Sequence, residues 1–415
     1  MKKVAFYTLG CRVNQYETNG FAEEYIKNGW QVCGFDEDCD LYVVNTCAVT
    51  AESARKSGQM IRRAAKRGDT VAVGCYSQLC PEKIKAIPGV IRVGGNVNKK
   101  AVVMNTGEPV FCFDGCGYEN ICLEGKTDLF SSCRAYVKIQ DGCPNKCTYC
   151  IIPTARGPAR SRDLVDIIHE CRNLAAAGYS EIVLTGIEVS AYNRVPLGEV
   201  IKQVSAIEGV KRLRLGSLTP TCIDRPLLEA MRDSGVFCAH LHLSVQSGCT
   251  RILNLMHRKY NKEQLQQRID LIREILPQAT LSADIITGFP TETEEEAEET
   301  LQFCVNNRFM HVHSFPYSER PGTVAAEMKG QVEKKIRAER NEKLISAANA
   351  VREQLLDLRV GTKQTILTEK NVQGICTGHT EDFIECSFKG DFRAGDYVLV
   401  NITSQENGIL TGEAI

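Results

Sequence analysis

Short apolar runs bounded by glycine or polar turn-formers alternate through the first hundred residues with longer stretches whose apolar positions recur every three or four. Runs at Val4–Tyr7, Leu41–Asn45 and Thr70–Val73 read as strands, and Glu17–Asn28 and Glu52–Arg67 read as helices, which predicts an open α/β domain over residues 1–107. A cysteine follows each strand: Cys11, Cys47 and Cys75. Strand C-termini of a parallel α/β sheet lie along one edge, so these thiols, remote in sequence, are expected to be neighbours.

From residue 133 the alternation tightens. Strands at Ala135–Ile139, Glu181–Leu184, Arg212–Leu215, His240–Ser244, Leu281–Ile286 and Val312–Phe315 are separated by helical segments such as Asp163–Ala177 and Lys262–Leu276. Six β/α units predict a partial (β/α)6 barrel over residues 133–358, closed by the charged helix Val332–Arg359. Residues 108–132, rich in turn-formers and close to Cys112, Cys116, Cys122 and Cys133, read as a linker; its thiols are structural or incidental, or else an additional metal site. Residues 359–415 carry short strand patterns near Thr365–Thr368, Phe383–Cys386 and Tyr397–Ile402, broken by Gly374, Gly378, Gly390, Gly395 and Gly408, which predicts a small β-barrel. The fold class is thus α/β and multidomain.

The 415 residues are 43% hydrophobic and 24% charged, an ordinary globular composition with room for two or three domains. No apolar signal segment opens the chain and no run of 18 apolar residues occurs, so a cytoplasmic protein without a membrane anchor is expected. Twenty cysteines in a chain of this size point to reduced thiols and metal ligation. The net charge of −1 leaves any nucleic-acid contact to local patches. Helix Glu52–Arg67 offers one: Arg55, Arg62 and Lys66 fall along one stripe, with Lys56, Arg63 and Arg67 along the next. Such a surface could track phosphates or could simply be solvated. Arg156, Arg160, Arg162 and Arg320 are further basic candidates, or else partners in barrel ion pairs.

The densest chemistry lies in Asp141-Gly142-Cys143-Pro144-Asn145-Lys146-Cys147-Thr148-Tyr149-Cys150, whose C-x3-C-x2-C spacing offers three thiolates where a four-iron cluster needs four ligands. One iron is left open for a substrate. A zinc knuckle, or a ferredoxin-type carrier with its fourth cysteine elsewhere, is the alternative. The thiols follow the first barrel strand, at the end where barrel enzymes place their chemistry. The motif in this setting resembles the radical S-adenosylmethionine superfamily. The resemblance implies that the open iron chelates the methionine end of S-adenosylmethionine, whose reductive cleavage releases a 5′-deoxyadenosyl radical.

The contexts Thr8-Leu9-Gly10-Cys11-Arg12-Val13-Asn14-Gln15-Tyr16-Glu17-Thr18, Val44-Asn45-Thr46-Cys47-Ala48-Val49-Thr50 and Val73-Gly74-Cys75-Tyr76-Ser77-Gln78 resemble the N-terminal domain of the methylthiotransferases. That resemblance covers the whole chain, in the family's domain order. It implies that Cys11, Cys47 and Cys75 hold an auxiliary 4Fe-4S cluster and Cys143, Cys147 and Cys150 the radical one. It further implies S-adenosylmethionine as both methyl donor and radical source, with Tyr149, Gly186, Glu188, Ser217, Ser244 and Gln246 as its contacts. The residues around Cys11 and Asp141-Gly142-Cys143 look most like the branch that methylthiolates carbon 2 of N(6)-threonylcarbamoyladenosine at position 37 of tRNA. The isopentenyladenosine branch and the ribosomal-protein aspartate branch are the alternatives, and an iron-sulfur electron carrier or a zinc-containing RNA-binding protein would be a different class. The implied partners are the tRNA anticodon arm, gripped by Arg55, Arg62, Arg63, Lys66, Arg156 and Arg320, and an external electron donor such as flavodoxin or ferredoxin. The C-terminal module resembles the TRAM domain used for RNA, yet from Leu356 onward it carries five basic against nine acidic residues.

Overall fold

The structure, a computed structural model, describes residues 1–125, 129 and 133–415. Its first domain is a parallel sheet of β1 (Lys3–Thr8), β2 (Gln31–Cys33), β3 (Leu41–Thr46), β4 (Thr70–Gly74) and β5 (Val90–Val93). The strand order is β2-β1-β3-β4-β5. Helices α1 (Arg12–Lys27), α2 (Ala51–Ala65), α3 (Cys75–Leu79), α4 (Pro81–Lys85) and α5 (Lys99–Met104) complete it. The order reverses between β1 and β3, and a crevice opens at such a switch point beyond the strand C-termini. Cys11 and Cys47 follow those two strands, and Cys75 follows β4. Edge strands β2 and β5 are too short, at three and four residues, to show a period in the sequence.

The second domain runs β6 (Arg134–Lys138), β7 (Gln140–Asp141), α6 (Ile152–Arg156), β8 (Arg160–Ser161), α7 (Leu164–Ala176), β9 (Glu181–Thr185), α8 (Leu197–Ser205), β10 (Arg212–Leu215) and α9 (Arg225–Asp233). It continues through β11 (His240–Gln246), α10 (Thr250–Leu255), α11 (Lys262–Ile275), β12 (Thr280–Thr287), α12 (Glu294–Asn306), β13 (His311–Pro316), α13 (Val324–Glu327) and α14 (Lys334–Asp357). Two parallel triplets, β6-β9-β10 and β11-β12-β13, meet where Leu218 pairs with Leu243. All six expected strands are present. Apolar positions such as Ile182, Leu213, Leu241 and Leu281 are buried in the shared core.

The last domain is a closed barrel of β14 (Lys363–Val372), β15 (Ile375–His379), β16 (Glu385–Lys389), β17 (Tyr397–Glu406) and β18 (Ile409–Ala414), in the order β14-β15-β16-β18-β17. It docks on the floor of the central barrel, against the first residues of the parallel strands. Arg134 bridges Glu181 at 2.7 Å and Glu369 at 2.5 Å, Arg214 reaches Glu181 at 2.9 Å, and Arg212 donates to the Thr365 carbonyl at 2.6 Å. The Phe383 ring lies 5.2 Å from the Arg134 guanidinium and 5.1 Å from that of Arg214. Phe383 takes φ 66°, which ends pairing there, so the strand expected from Phe383 begins instead at Glu385.

Burial alone raises the Glu369 carboxyl, but the His379 hydrogen bond and the Arg134 charge outweigh it and pull the group down to about 2. A depressed carboxyl contributes stability above its unfolded value and loses it as pH falls toward the folded one. Glu369→Gln is therefore expected to destabilise the protein by about 1–3 kcal/mol near neutrality. The deficit should shrink between pH 4.5 and 2, as read by urea unfolding across that range.

Of the segment expected as a linker, residues 108–125 form a packed strap, while 126–128 and 130–132 lie outside the described residues. Ile121 and Leu123 are buried in the core, the Tyr16 hydroxyl donates to the Ile121 carbonyl, and the Leu123 N–H donates to Glu170 at 2.7 Å. A side chain at Gly20, inside α1, would meet Ile121 at 2.2 Å. That glycine is where the strap lies down. Two apolar residues among turn-formers were the available signal.

Candidate active site: two cysteine triads at one seam

The Cys143–Cys150 loop leaves β7 and enters α6 at the C-terminal end of the barrel strands. Backbone bonds fix it: Cys143 N–H to Gly157 O at 3.0 Å, Thr148 N–H to Met256 O at 3.2 Å, and Ala325 N–H to Thr148 O at 2.8 Å. The Thr148 hydroxyl adds a bond to Leu255 O at 2.8 Å. Sulfur is addressed as well, by the Ile152 N–H at 3.4 Å from Cys150 Sγ and by Arg258 Nη1 at 3.4 Å from Cys147 Sγ. Burial pushes the Cys143 thiol up to about 11 and that of Cys150 to about 12, so the protein alone keeps them protonated. Coordination to iron deprotonates such thiols outright.

Above the loop lies a cavity of about 300 Å3. Its walls include the three cysteines together with Tyr149, Glu188, Ser244 and Gln246. Ser217 adjoins it through a 2.8 Å bond to the Ser244 hydroxyl, and Gly186 packs against Gln140. Glu188 is held by the Thr219 hydroxyl at 2.9 Å and the Asn145 amide at 3.2 Å. Gln246 sits at φ 69° on a bulge of β11, which turns its side of the strand into the cavity. Arg258, Asn145, Asp284 and Phe315 also line the space. Sequence reasoning gave these four no role, although Asn145 lies inside the quoted cysteine motif and Phe315 ends an expected strand. Two larger grooves, of about 860 Å3 between α8 and α9 and about 1070 Å3 at the far edge of the first sheet, hold none of the six triad cysteines.

The second triad assembles at the switch-point edge. Gly10 and Gly74 have φ of 99° and 103°; a side chain on Gly10 would strike Cys47 at 2.8 Å, and one on Gly74 would strike Thr46 O at 2.6 Å. The strand-end loops can approach so closely only with glycine there. Asn14 staples them, donating to Leu9 O at 2.7 Å and Thr46 O at 3.0 Å. Cys47 and Cys75 are buried, and Cys11 is exposed.

The two triads share a seam. Cys75 opens α3, which packs on α6, and Ala48, Cys75 and Ala155 form one small buried cluster. Val49 and Thr50, just past Cys47, enter the wall of the cavity, and the Ala51 N–H donates to the Ser318 hydroxyl at 3.3 Å. Each site offers three thiols and leaves a fourth iron position unclaimed, which fits a 4Fe-4S cluster with one open iron. Among the described residues no three His, Cys, Asp or Glu side chains converge to the spacing of a single-ion site.

Two expected RNA contacts require correction. Arg156 is completely buried, bonded to Asn14 at 2.5 Å and Asp141 at 2.9 Å, and presents nothing to a phosphate. Arg320 is buried too, at 9% exposure. The helix stripe is partly neutralised: Arg55 and Lys56 meet Glu52, Arg63 pairs with Asp36, and Arg67 pairs with Asp38 at 3.2 Å. Arg62 and Lys66 are exposed and have no ion-pair partner among the described residues.

Comparison with known proteins agrees with this geometry. Residues 137–304 match the radical SAM superfamily, and residues 3–94 match a family described as uncharacterized protein family UPF0004. The threonylcarbamoyladenosine tRNA methylthiotransferase MtaB of Bacillus subtilis is 35% identical over 94% of this chain and 91% of its own. The chain belongs to the radical SAM methylthiotransferase family. A second relative, the tRNA-2-methylthio-N(6)-dimethylallyladenosine synthase of Acetivibrio thermocellus, is 33% identical over 98% of this chain and 90% of its own. Among solved structures, the radical S-adenosylmethionine methyltransferase TsrM from Kitasatospora setae shares the fold. Its TM-score is 0.57 at 13% identity, covering 91% of this chain and 81% of that one. As a member of this family the protein is a radical SAM transferase whose cofactors are 4Fe-4S clusters and S-adenosylmethionine. No helix among the described residues is long and apolar enough to cross a membrane.

Proposed function

We propose that this methylthiotransferase acts on tRNA, converting N(6)-threonylcarbamoyladenosine at position 37 to its 2-methylthio derivative. The observation that carries the reading is the shared cavity: one wall is the Cys143–Cys150 loop and another is Val49 and Thr50, beside Cys47. A base inserted there lies between the radical loop and the segment that follows Cys47 of the second triad. Carbon 2 of adenine bears an unactivated C–H bond that no side chain can functionalise, and S-adenosylmethionine with a cluster at the Cys143 triad supplies the radical reactivity when bound. The chain's own residues bind and orient. Glu188, fixed by Thr219 and Asn145, is set to receive the methionine amino group; Gln246, Ser244 and Ser217 offer hydrogen bonds at the strand ends; and Tyr149 offers a ring face. Helix α2 starts at the cavity wall and carries Arg62 and Lys66 away from it, a path for the phosphates of the anticodon arm. The threonylcarbamoyl substrate is supported by the names of four relatives at 32–35% identity, and by the residues around Cys11. The electron donor is read as a small external flavodoxin or ferredoxin.

The test is anaerobic turnover on three substrates: tRNA bearing threonylcarbamoyladenosine, tRNA bearing isopentenyladenosine, and a ribosomal-protein peptide. The first should be preferred, and nucleoside mass spectrometry of tRNA from a deletion strain should show loss of its methylthio product. Preference for either other substrate overturns the assignment. Arg62→Ala with Lys66→Ala should weaken tRNA binding and lower the log-log salt slope by roughly 0.7–0.9 for each phosphate the helix no longer neutralises. Cleavage of S-adenosylmethionine without tRNA should be untouched.

A further inference from the structure

We propose that Arg156 is the charge partner of the auxiliary cluster: a positioning residue, sent across the domain seam from the radical loop, that sets the redox potential of the group held by Cys11, Cys47 and Cys75. The inference rests on those three thiols being the ligands. Arg156 lies six positions beyond Cys150, on α6, yet its guanidinium points into the first domain. Its Nε donates to Cys75 Sγ at 3.4 Å and its Nη2 to Asn14 Oδ1 at 2.5 Å. Its Nη1 faces Asp141 at 2.9 Å and Glu17 at 3.4 Å.

Arg156 is the member of a buried ion-pair network that also faces sulfur. Glu17 is paired with Lys99 at 2.6 Å and Lys138 at 3.0 Å, and Lys138 reaches Asp141 at 3.2 Å. These pairs are buried and 3.2 Å or closer, so both carboxylates stand directly among cations. Glu119 adds a third carboxylate on the side of Lys99 and Lys138, and Arg160 lies 4.0 Å from Asp141 on the side of Arg156. A buried guanidinium is unfavourable unless anions stand around it. The group beside Arg156 is the thiol set, and three thiolates around an oxidised four-iron core leave a net negative charge. The Arg156 charge has the sign such a cluster requires.

A hydrogen bond to sulfur and a fixed positive charge both favour the reduced, more negative state of a cluster, so Arg156 holds the auxiliary potential up. The radical cluster receives no such bond from it; Cys147 is served by Arg258 instead. Side chains from the two domains therefore tune the two clusters separately.

The decisive measurement is a potentiometric titration, followed by electron paramagnetic resonance, of full-length protein in which Cys143, Cys147 and Cys150 are replaced by Ala. Only the auxiliary cluster is then observed. Adding Arg156→Met should lower its midpoint potential enough to change the reduced-to-oxidised ratio at least tenfold at fixed potential, about 59 mV for a one-electron couple. Arg156→Lys, which keeps the charge, should restore most of that shift. A Met variant that holds its iron with the ratio within about twofold of the parent overturns the proposal. Should the Met variant lose its iron, the Lys variant decides: retained iron with a near-parental potential supports the charge role, and lost iron overturns it. A parent protein that binds no iron would instead refute the ligand assignment, a result distinct from an iron-loaded cluster whose potential ignores residue 156.

Discussion

Alanine at Cys143, Cys147 and Cys150 together is expected to abolish reductive cleavage of S-adenosylmethionine and to leave about four of about eight irons in anaerobically reconstituted protein. The loop should survive the change. Its shape depends on Thr148, on the Cys143 N–H to Gly157 O bond and on the Ala325 N–H to Thr148 O bond, none of which uses a sulfur atom. The remaining iron belongs to a triad built from three other strand ends. Iron and sulfide assays with chromatography of 5′-deoxyadenosine give the readout. Complete loss of iron would mean that the sites are not separate, and surviving cleavage would move the radical chemistry elsewhere.

Replacing Cys11, Cys47 and Cys75 should produce the complementary defect: 5′-deoxyadenosine continues to form while methylthio product disappears from tRNA. Cleavage needs the barrel cavity, whose cysteine, Glu188 and Gln246 walls are untouched by the change. Transfer of a sulfur group needs the second site, which this variant lacks. The variant should also melt earlier than the parent, because the buried Arg156 guanidinium loses its sulfur neighbours while its carboxylate partners stay in place. Continued methylthiolation would remove the first-domain triad from the reaction.

Much of this was readable from the chain because β/α alternation fixes which ends of the strands share an edge. Cys11, Cys47 and Cys75 could be grouped without any contact information, and Cys143–Cys150 could be placed above the barrel. Charge was far less legible. Arg156, Arg160 and Arg162 read as RNA contacts or as barrel ion pairs; Arg156 and Arg162 take the second course, turning inward to Glu17 and Glu170, a choice set by tertiary partners that local spacing does not encode. Glycine misled in the last domain. Gly378 lies inside β15, where a side chain would meet Leu367 O at 2.0 Å, and Gly412 lies inside β18 against Asn401 O at 2.4 Å. Such residues let the small barrel close, and their composition looks like a break. The start of α1 at Arg12 was hidden for another reason: its N-cap is Cys11, a residue that gives no capping signal.

An acidic appendage on an enzyme that handles a polyanion looks self-defeating until its carboxylates are followed to their destinations. Glu369 is engaged by Arg134, Asp382 by Arg359, and Glu381 by the Ala239 N–H at the foot of the central barrel. Glu369 is thereby the counter-ion of an arginine outside its own domain, so the field that an approaching nucleic acid meets is less negative, by that charge, than the domain's residue count implies. A domain's formal charge is a property of its sequence; what a partner senses is only the part that the fold has not already neutralised.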